Sequence, residues 1–174
     1  MLPNAIQEAE IAYKYIPNNT DLLYHQGLLY TISENHSQAL QTYNILDKIS
    51  PYYPQLHFRK GYMLSLAGDW AQSVNEYKTE IKYNEYPKVY FNLAIAYHYL
   101  GDEYNSMICF MNFAEKIKLK TERHLIKNKE QIMKEEGRNL QFALDNLENY
   151  YKKNHAVIER INYLKQYFFT EFNN

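Results

Sequence analysis

The sequence predicts an all-α repeat array, and three observations carry that expectation. Landmark residues recur 34 positions apart, Pro17 with Pro51, Gly27 with Gly61 and Tyr43 with Tyr77, and a fixed period of that length marks a stack of like helix pairs. Leu, Ile, Tyr and Phe fall at helical spacing, with only five Gly and five Pro in 174 residues, and no strand-like alternation competes. Pro51, Pro54 and Pro87 fall between the apolar runs, where proline is tolerated at a first helical turn but would break an interior.

In chain order, the spacing of Ala5, Ala9, Ala12 and Pro17 fits only the second helix of a preceding pair. That helix has no first-helix partner in the chain, so its open end is expected either to reflect a truncation or to be covered by something else. Thr20 then opens a periodic run through Leu23, Gly27 and Tyr30, followed by Ala39, Tyr43, Leu46 and Pro51, which predicts helices over about 20–34 and 37–49. Gly61, Leu64, Gly68, Asp69, Trp70, Ser73 and Tyr77 repeat the pattern and predict helices over about 54–67 and 70–83. A third copy, one residue shorter, runs through Tyr90, Leu93, Ala94, Tyr97, Gly101, Asp102, Ser106 and Phe110 and predicts about 87–100 and 103–118. In each copy a small residue (Gly27, Gly61, Ala94) lets the second helix approach closely, and an aromatic about sixteen residues on (Tyr43, Tyr77, Phe110) fills the space between neighbouring helices. Gly68-Asp69 and Gly101-Asp102 stand where the helices of a pair must turn, Gly taking positive φ and Asp capping the next helix. The second copy departs from the pattern, with His57 and Lys60 at usually apolar positions and Glu80 where a small residue is expected.

These residues resemble the tetratricopeptide repeat, whose pattern runs large apolar, Leu-Gly, Tyr, then Ala, Phe, Ala and Pro. The resemblance implies a right-handed α-solenoid of antiparallel helix pairs over residues 1–118, with a half-repeat at 3–17 and repeats at about 20–51, 54–86 and 87–118. Residues 119–174 are then expected to form a degenerate helix pair and a capping helix. Ile126, Met133, Leu140 and Leu147 lie seven apart, with Leu144 and Tyr151 between, and Gly137 is expected to divide the stretch into helices near 120–135 and 138–152. A last helix near 155–170 would place Ile158, Ile161, Leu164 and Phe168 on one face. A coiled-coil or dimerising arm is the alternative, and it requires Gly137 inside one unbroken helix.

Composition excludes several function classes. The formal net charge is −1, which gives no global reason to expect nucleic acid or an anionic membrane. The charge is uneven, net acidic before residue 115 and net basic after it. Met1-Leu2-Pro3 leads straight into an amphipathic helix without the basic start and apolar run of a signal peptide, and no eighteen apolar residues run together. A cytoplasmic location is expected. Cys109, the one cysteine, reads as a packed thiol. The six histidines are scattered without metal-ligand spacing, and no phosphate loop, dinucleotide fingerprint or nucleophile elbow occurs. No enzyme, metal or cofactor is expected.

In arrays of the resembled family the first helix of each pair lines the concave groove that binds partners. Counting from the small anchor, the positions three before and one after it give an aromatic ladder (Tyr24, Phe58, Phe91) beside an apolar one (Leu28, Tyr62, Ile95). His25 and Thr31, Arg59 and Ser65, Asn92 and His98 lie two before and four after, and Asp21, Gln55 and Lys88 six before. A contiguous apolar stripe on an open face is a partner site, and aromatic rings are favoured anchors. The structural alternative is that the chain's own C-terminal helices fill the groove. A subgroup of the family grips acidic chaperone tails through Lys, Asn and Arg, but Tyr24 and Leu28 stand where Lys and Asn are required. The expected function is therefore a scaffold that binds a protein or peptide segment with apolar anchors, with Arg59 and Asn92 fixing its polar groups. A secretion-type chaperone or a peptide-sensing regulator domain are narrower versions. A homodimer through exposed terminal helices is a further partner, and nucleic acid bound through Lys116, Lys118, Lys120, Arg123, Lys127 and Lys129 is the rival from a different class.

Overall fold

The computed structural model describes residues 2–123 and 127–169, and every element among them is a helix. In order these are α1 (Leu2–Tyr15), α2 (Thr20–Ile32), α3 (His36–Ile49), α4 (Leu56–Leu66), α5 (Trp70–Tyr83), α6 (Pro87–Tyr99), α7 (Glu103–Arg123), α8 (Lys127–Tyr151) and α9 (His155–Phe169). The chain divides into two compact bodies between Glu85 and Tyr86.

In the N-terminal body α2 packs on α3 and α4 on α5 as pairs, α3 joins the two pairs, and α1 lies on α2. The pairing depends on two glycines. A Cβ at Gly27 would lie 2.4 Å from the ring of Tyr43, and one at Gly61 would lie 2.8 Å from Tyr77. Both tyrosines are fully buried, so the expected small-residue contact and its aromatic filler are one feature. Leu23, Tyr30, Ala39, Leu46, Leu56 and Met63 complete the core around Tyr43.

Helix starts follow from capping. The Leu22 amide donates to Asn19 Oδ1 at 2.8 Å and the Gln72 amide to Asp69 Oδ1 at 3.1 Å, each satisfying one of the donors a helix leaves open. Gly68 and Gly101 take φ of +80° and +76° before their capping aspartates. The first pair makes the same turn with Glu34 at φ +60°, a conformation that costs a residue with a Cβ about 1–2 kcal/mol.

In the C-terminal body α6 packs on α7, α7 on α8 and α8 on α9. Cys109 is buried in this body. Two boundaries differ from expectation. Helix α7 runs past residue 118 to Arg123, and α8 passes through Gly137 without a break. A mid-helix glycine costs only about 1 kcal/mol relative to alanine, and the seam on either side of it outweighs that: Ile132 precedes it and Leu140, Leu144 and Leu147 follow, all buried. The unbroken helix is not a free arm, because α7 and α9 of the same chain pack on it. Ile161, Leu164 and Phe168 form the buried face of α9, as the spacing predicts. Ile126, expected in the α8 seam, lies outside the described residues.

Gly137→Ala is expected to raise the unfolding free energy by about 0.5–1 kcal/mol, since the added Cβ meets only Met133 Cε at 3.5 Å. Gly27→Leu is expected to lower it by about 1–3 kcal/mol through overpacking against Tyr43. Urea unfolding of both variants checks the pair, and wild-type stability in Gly27→Leu would contradict the α2–α3 packing.

Candidate partner-binding faces

Each body carries its own part of the predicted groove set. In the N-terminal body, Tyr24 and Leu28 on α2 are half-buried and His25 is exposed. The Tyr24 ring packs on Tyr53, with centroids 4.9 Å apart, and the Arg59 Nε donates to the Tyr24 hydroxyl at 3.4 Å. Tyr62 is exposed at the edge of α4.

Phe58 corrects the expectation of an open aromatic ladder. It is only 5% exposed, its ring 5.9 Å from that of Tyr77, so it is core packing beneath the face. Thr31 and Ser65 also turn inward. The Thr31 hydroxyl donates to the Gly27 carbonyl at 2.8 Å and lies 3.4 Å from the Tyr43 hydroxyl. Ser65 repeats this with the Gly61 carbonyl at 2.9 Å and Tyr77 at 3.2 Å.

In the C-terminal body, Phe91 is half-buried within an aromatic cluster, its centroid 5.8 Å from Phe110, 5.2 Å from Phe113 and 6.2 Å from Phe142. Phe142 belongs to α8, so a C-terminal helix does cover part of this face. Ile95 is half-buried, and Lys88 and His98 are exposed. The Asn92 amide donates to the Lys88 carbonyl of its own helix at 2.9 Å, and His98 Nδ1 lies 2.7 Å from Glu103.

The counting missed Ile32, Leu66 and Tyr99, each five residues after its anchor and 66%, 48% and 62% exposed. The signal was present in the repeat itself. Tyr53 was missed too, because it comes from the connection between α3 and α4. Its hydroxyl donates to Asp21 Oδ1 at 2.7 Å, and burial together with that bond pushes its pKa up to about 12.

A charged cluster underlies the connection that holds Tyr53. Lys60 Nζ lies 2.6 Å from Asp47 and 2.8 Å from Glu76, and His57 Nδ1 lies 2.7 Å from Glu76. His57 and Lys60 are two of the residues that broke the repeat pattern, and Asp47 on α3 and Glu76 on α5 satisfy them. Burial alone favours the neutral Glu76 acid, but hydrogen bonds and charge from His57 and Lys60 overcome it and hold the pKa below its ordinary value. Glu80 has a separate task. It accepts from the Gln55 and Phe58 amides at 3.2 and 3.1 Å, capping α4 from the neighbouring helix where Gln55, at φ +63°, provides no side-chain cap. Burial pushes the Glu80 pKa up against those two bonds.

Several of the basic residues near the end of α7 and on α8 and α9 are engaged internally. Arg160 forms a two-pronged pair with Glu115, both bonds 2.6 Å. Lys118 pairs with Glu122 and lies 5.1 Å from the Tyr167 ring, and Lys129 donates to the Tyr167 carbonyl at 2.6 Å. Lys116 lies 5.9 Å from the Tyr90 ring and Lys120 is exposed. The side chains of Arg123 and Lys127 lie outside the described set. Among the described residues, no group of His, Cys, Asp and Glu could hold a metal ion and no helix is long and apolar enough to cross a membrane.

Comparison with solved structures decides the fold. The chain superposes on the structure titled MamA RS-1 ArsTM double mutant with a TM-score of 0.74 at 13% identity, covering 99% of this chain and 88% of that one. A crystal structure of MamA gives 0.65 at 16% identity over 87% and 91%, and MamA MSR-1 gives 0.64 at 17% over 69% and 70%. MamA is a tetratricopeptide-repeat protein. The fold is a tetratricopeptide-like helical repeat. No protein-family model and no curated protein sequence matches the chain. At these identities the likeness is one of fold, with landmarks such as Gly27, Gly61 and Asp69 occupying the structural roles their positions predict.

Glu76→Ala is expected to cost about 3 kcal/mol, because it leaves His57 and Lys60 buried with Asp47 alone. Since the Glu76 pKa lies below its ordinary 4.5, its contribution holds above that pH and is lost as pH falls through the lowered value. The urea midpoints of wild type and Glu76→Ala should therefore differ widely at neutral pH and converge in acid.

Proposed function

We propose that this chain is a protein- or peptide-binding scaffold, taking apolar side chains of an extended or helical segment on the faces carried by α2 and α4 in one body and by α6 in the other. One observation carries the reading: large apolar side chains stand open at the same repeat position, Ile32, Leu66 and Tyr99. One turn earlier on each helix lie Leu28, Tyr62 and Ile95, so each body presents an apolar strip where solubility alone would favour charge. Tyr24, backed by Tyr53, forms one wall of the first strip. Arg59 and His25 are placed to meet polar groups beside it, as are Lys88, Asn92 and His98 beside Phe91 and Ile95. The scaffold binds rather than converts, without cofactor or metal, in the cytoplasm. A chaperone for secreted substrates and a peptide-sensing regulator domain are the narrower forms of the same activity.

The nucleic-acid rival is weakened by geometry. Lys118, Lys129 and Arg160 are already bonded to carboxylates, a carbonyl and tyrosine rings, and a phosphate would have to displace those partners.

Selection of binding segments from a displayed peptide library, followed by titration of a selected peptide, tests the proposal. Tyr62→Ser/Leu66→Ser, which alters only exposed side chains, is expected to weaken binding at least about tenfold. Lys116→Ala/Lys120→Ala should leave it unchanged, and added salt should change it little. Unaltered binding in the first variant, loss in the second and a steep salt dependence would overturn the reading.

A further inference from the structure

We propose that His57 is a proton-operated latch on the wall of the N-terminal binding face: charged, it pins the connection between α3 and α4 and holds Tyr53 over Tyr24, and neutral, it releases that connection. The functional consequence rests on the partner-binding reading, whereas the latch itself does not.

The side chain is only 11% exposed and both of its ring nitrogens are engaged. Nδ1 lies 2.7 Å from a Glu76 carboxylate oxygen and Nε2 lies 2.9 Å from the Pro51 carbonyl oxygen. Neither partner has a proton to give, so both ring nitrogens must donate, and only the imidazolium can do that. Loss of one proton to water leaves a lone pair against one of these oxygens. The proton is held more strongly toward the charged carboxylate, so the Pro51 carbonyl is the partner released.

The surrounding charges point the same way. Asp47 faces the ring from α3, with Nε2 3.9 Å away, and Lys60 shares both carboxylates from α4. Glu76 and Glu80 lie on α5, as does Tyr83, whose ring stacks 6.5 Å from His57 and lies 4.6 Å from that of Tyr52. With His57 charged, His57 and Lys60 balance Asp47 and Glu76, and deprotonation leaves one half-buried negative charge uncompensated. Burial alone favours the neutral ring, but the bonds to Glu76 and Pro51 and the charge of Asp47 prevail and hold the pKa above its ordinary 6.5.

Pro51 connects the latch to the face. Two residues on, Tyr53 lies 4.9 Å from the Tyr24 ring and donates to Asp21. The stabilisation is complete below about pH 6.5 and is lost as pH rises through the raised folded-state value.

Nuclear magnetic resonance of the full chain, isotope-labelled on histidine and tyrosine and titrated from acid to mildly alkaline pH, tests this. The His57 ring is expected to carry both protons at neutral pH, and the Tyr53 and Tyr24 ring signals to shift with the same midpoint as His57. In His57→Gln, which keeps an amide donor but cannot titrate, that midpoint should vanish from the tyrosine signals. A neutral His57 at pH 7, or tyrosine signals that ignore its midpoint in wild type, would overturn the latch whatever the chain binds. If the signals move together but no peptide binds the face at any pH, the latch stands and the partner-binding reading falls.

Discussion

The close contact at Gly27 and Gly61 determines what every other side chain on the first helices can do. With no Cβ in the way, the rings of Tyr43 and Tyr77 press onto the helix backbone, and that contact sets the rotation of α2 and α4. An α-helix turns about 100° per residue, so each later position has a known angle from the contact. Four residues on, at about 40°, Thr31 and Ser65 still lean inward and meet the tyrosine hydroxyls. Three residues back is about 60°, where Tyr24 is half-buried and Phe58 buried. One residue on lies at about 100° and is half-open, and five on, at about 140°, stand Ile32 and Leu66 in solvent. The gradient of exposure across the face follows from one packing contact per pair.

The same reasoning explains why charge in the second pair does not disrupt it. His57 and Lys60 occupy the flank of α4 that meets α3 and α5, where a lone buried charge would be expensive. Asp47 and Glu76 arrive from those two helices at 2.6–2.8 Å from Lys60. Such a cluster is weak evidence of extra stability, since apolar residues could fill the space as well. What it adds is directionality, because each bond fixes one helix against another, and through Pro51 it fixes the connection as well.

Much of the fold was legible because the repeat is local. The starts of α2, α5, α6 and α7 fall where Thr20, Trp70, Pro87 and Glu103 place them, since capping and proline act within a few residues. Gly137 was misread for the converse reason: a single glycine is a weak local signal, and the burial of Ile132, Leu140 and Leu144 on both sides of it is tertiary. The face was legible in outline but not in depth. Spacing placed Phe58 on the correct flank, yet only packing shows that Tyr77 covers it. Ile32, Leu66 and Tyr99 could have been found by carrying the same angle one turn further. Tyr53 and Phe142 could not, because one lies in a connection and the other beyond the repeats.

The C-terminal body shows how a long helical hairpin is fastened where glycine contacts no longer recur. Helix α9 is tied to α7 by Arg160 with Glu115, and to α8 by Lys165, which reaches Asp145 and Glu148 at 2.7 Å each. Exposed ion pairs individually contribute little. Here they ring a buried seam of Leu140, Leu144, Leu147, Ile161 and Leu164, and Lys118 and Arg160 also lie against the Tyr163 ring. A cation between a carboxylate and an aromatic face has a defined position, which a solvated lysine does not. The positive charge of this body is thus divided: Lys118, Arg160 and Lys165 are held against carboxylates of the same chain, whereas Lys120, Arg138, Lys152 and Lys153 stand exposed.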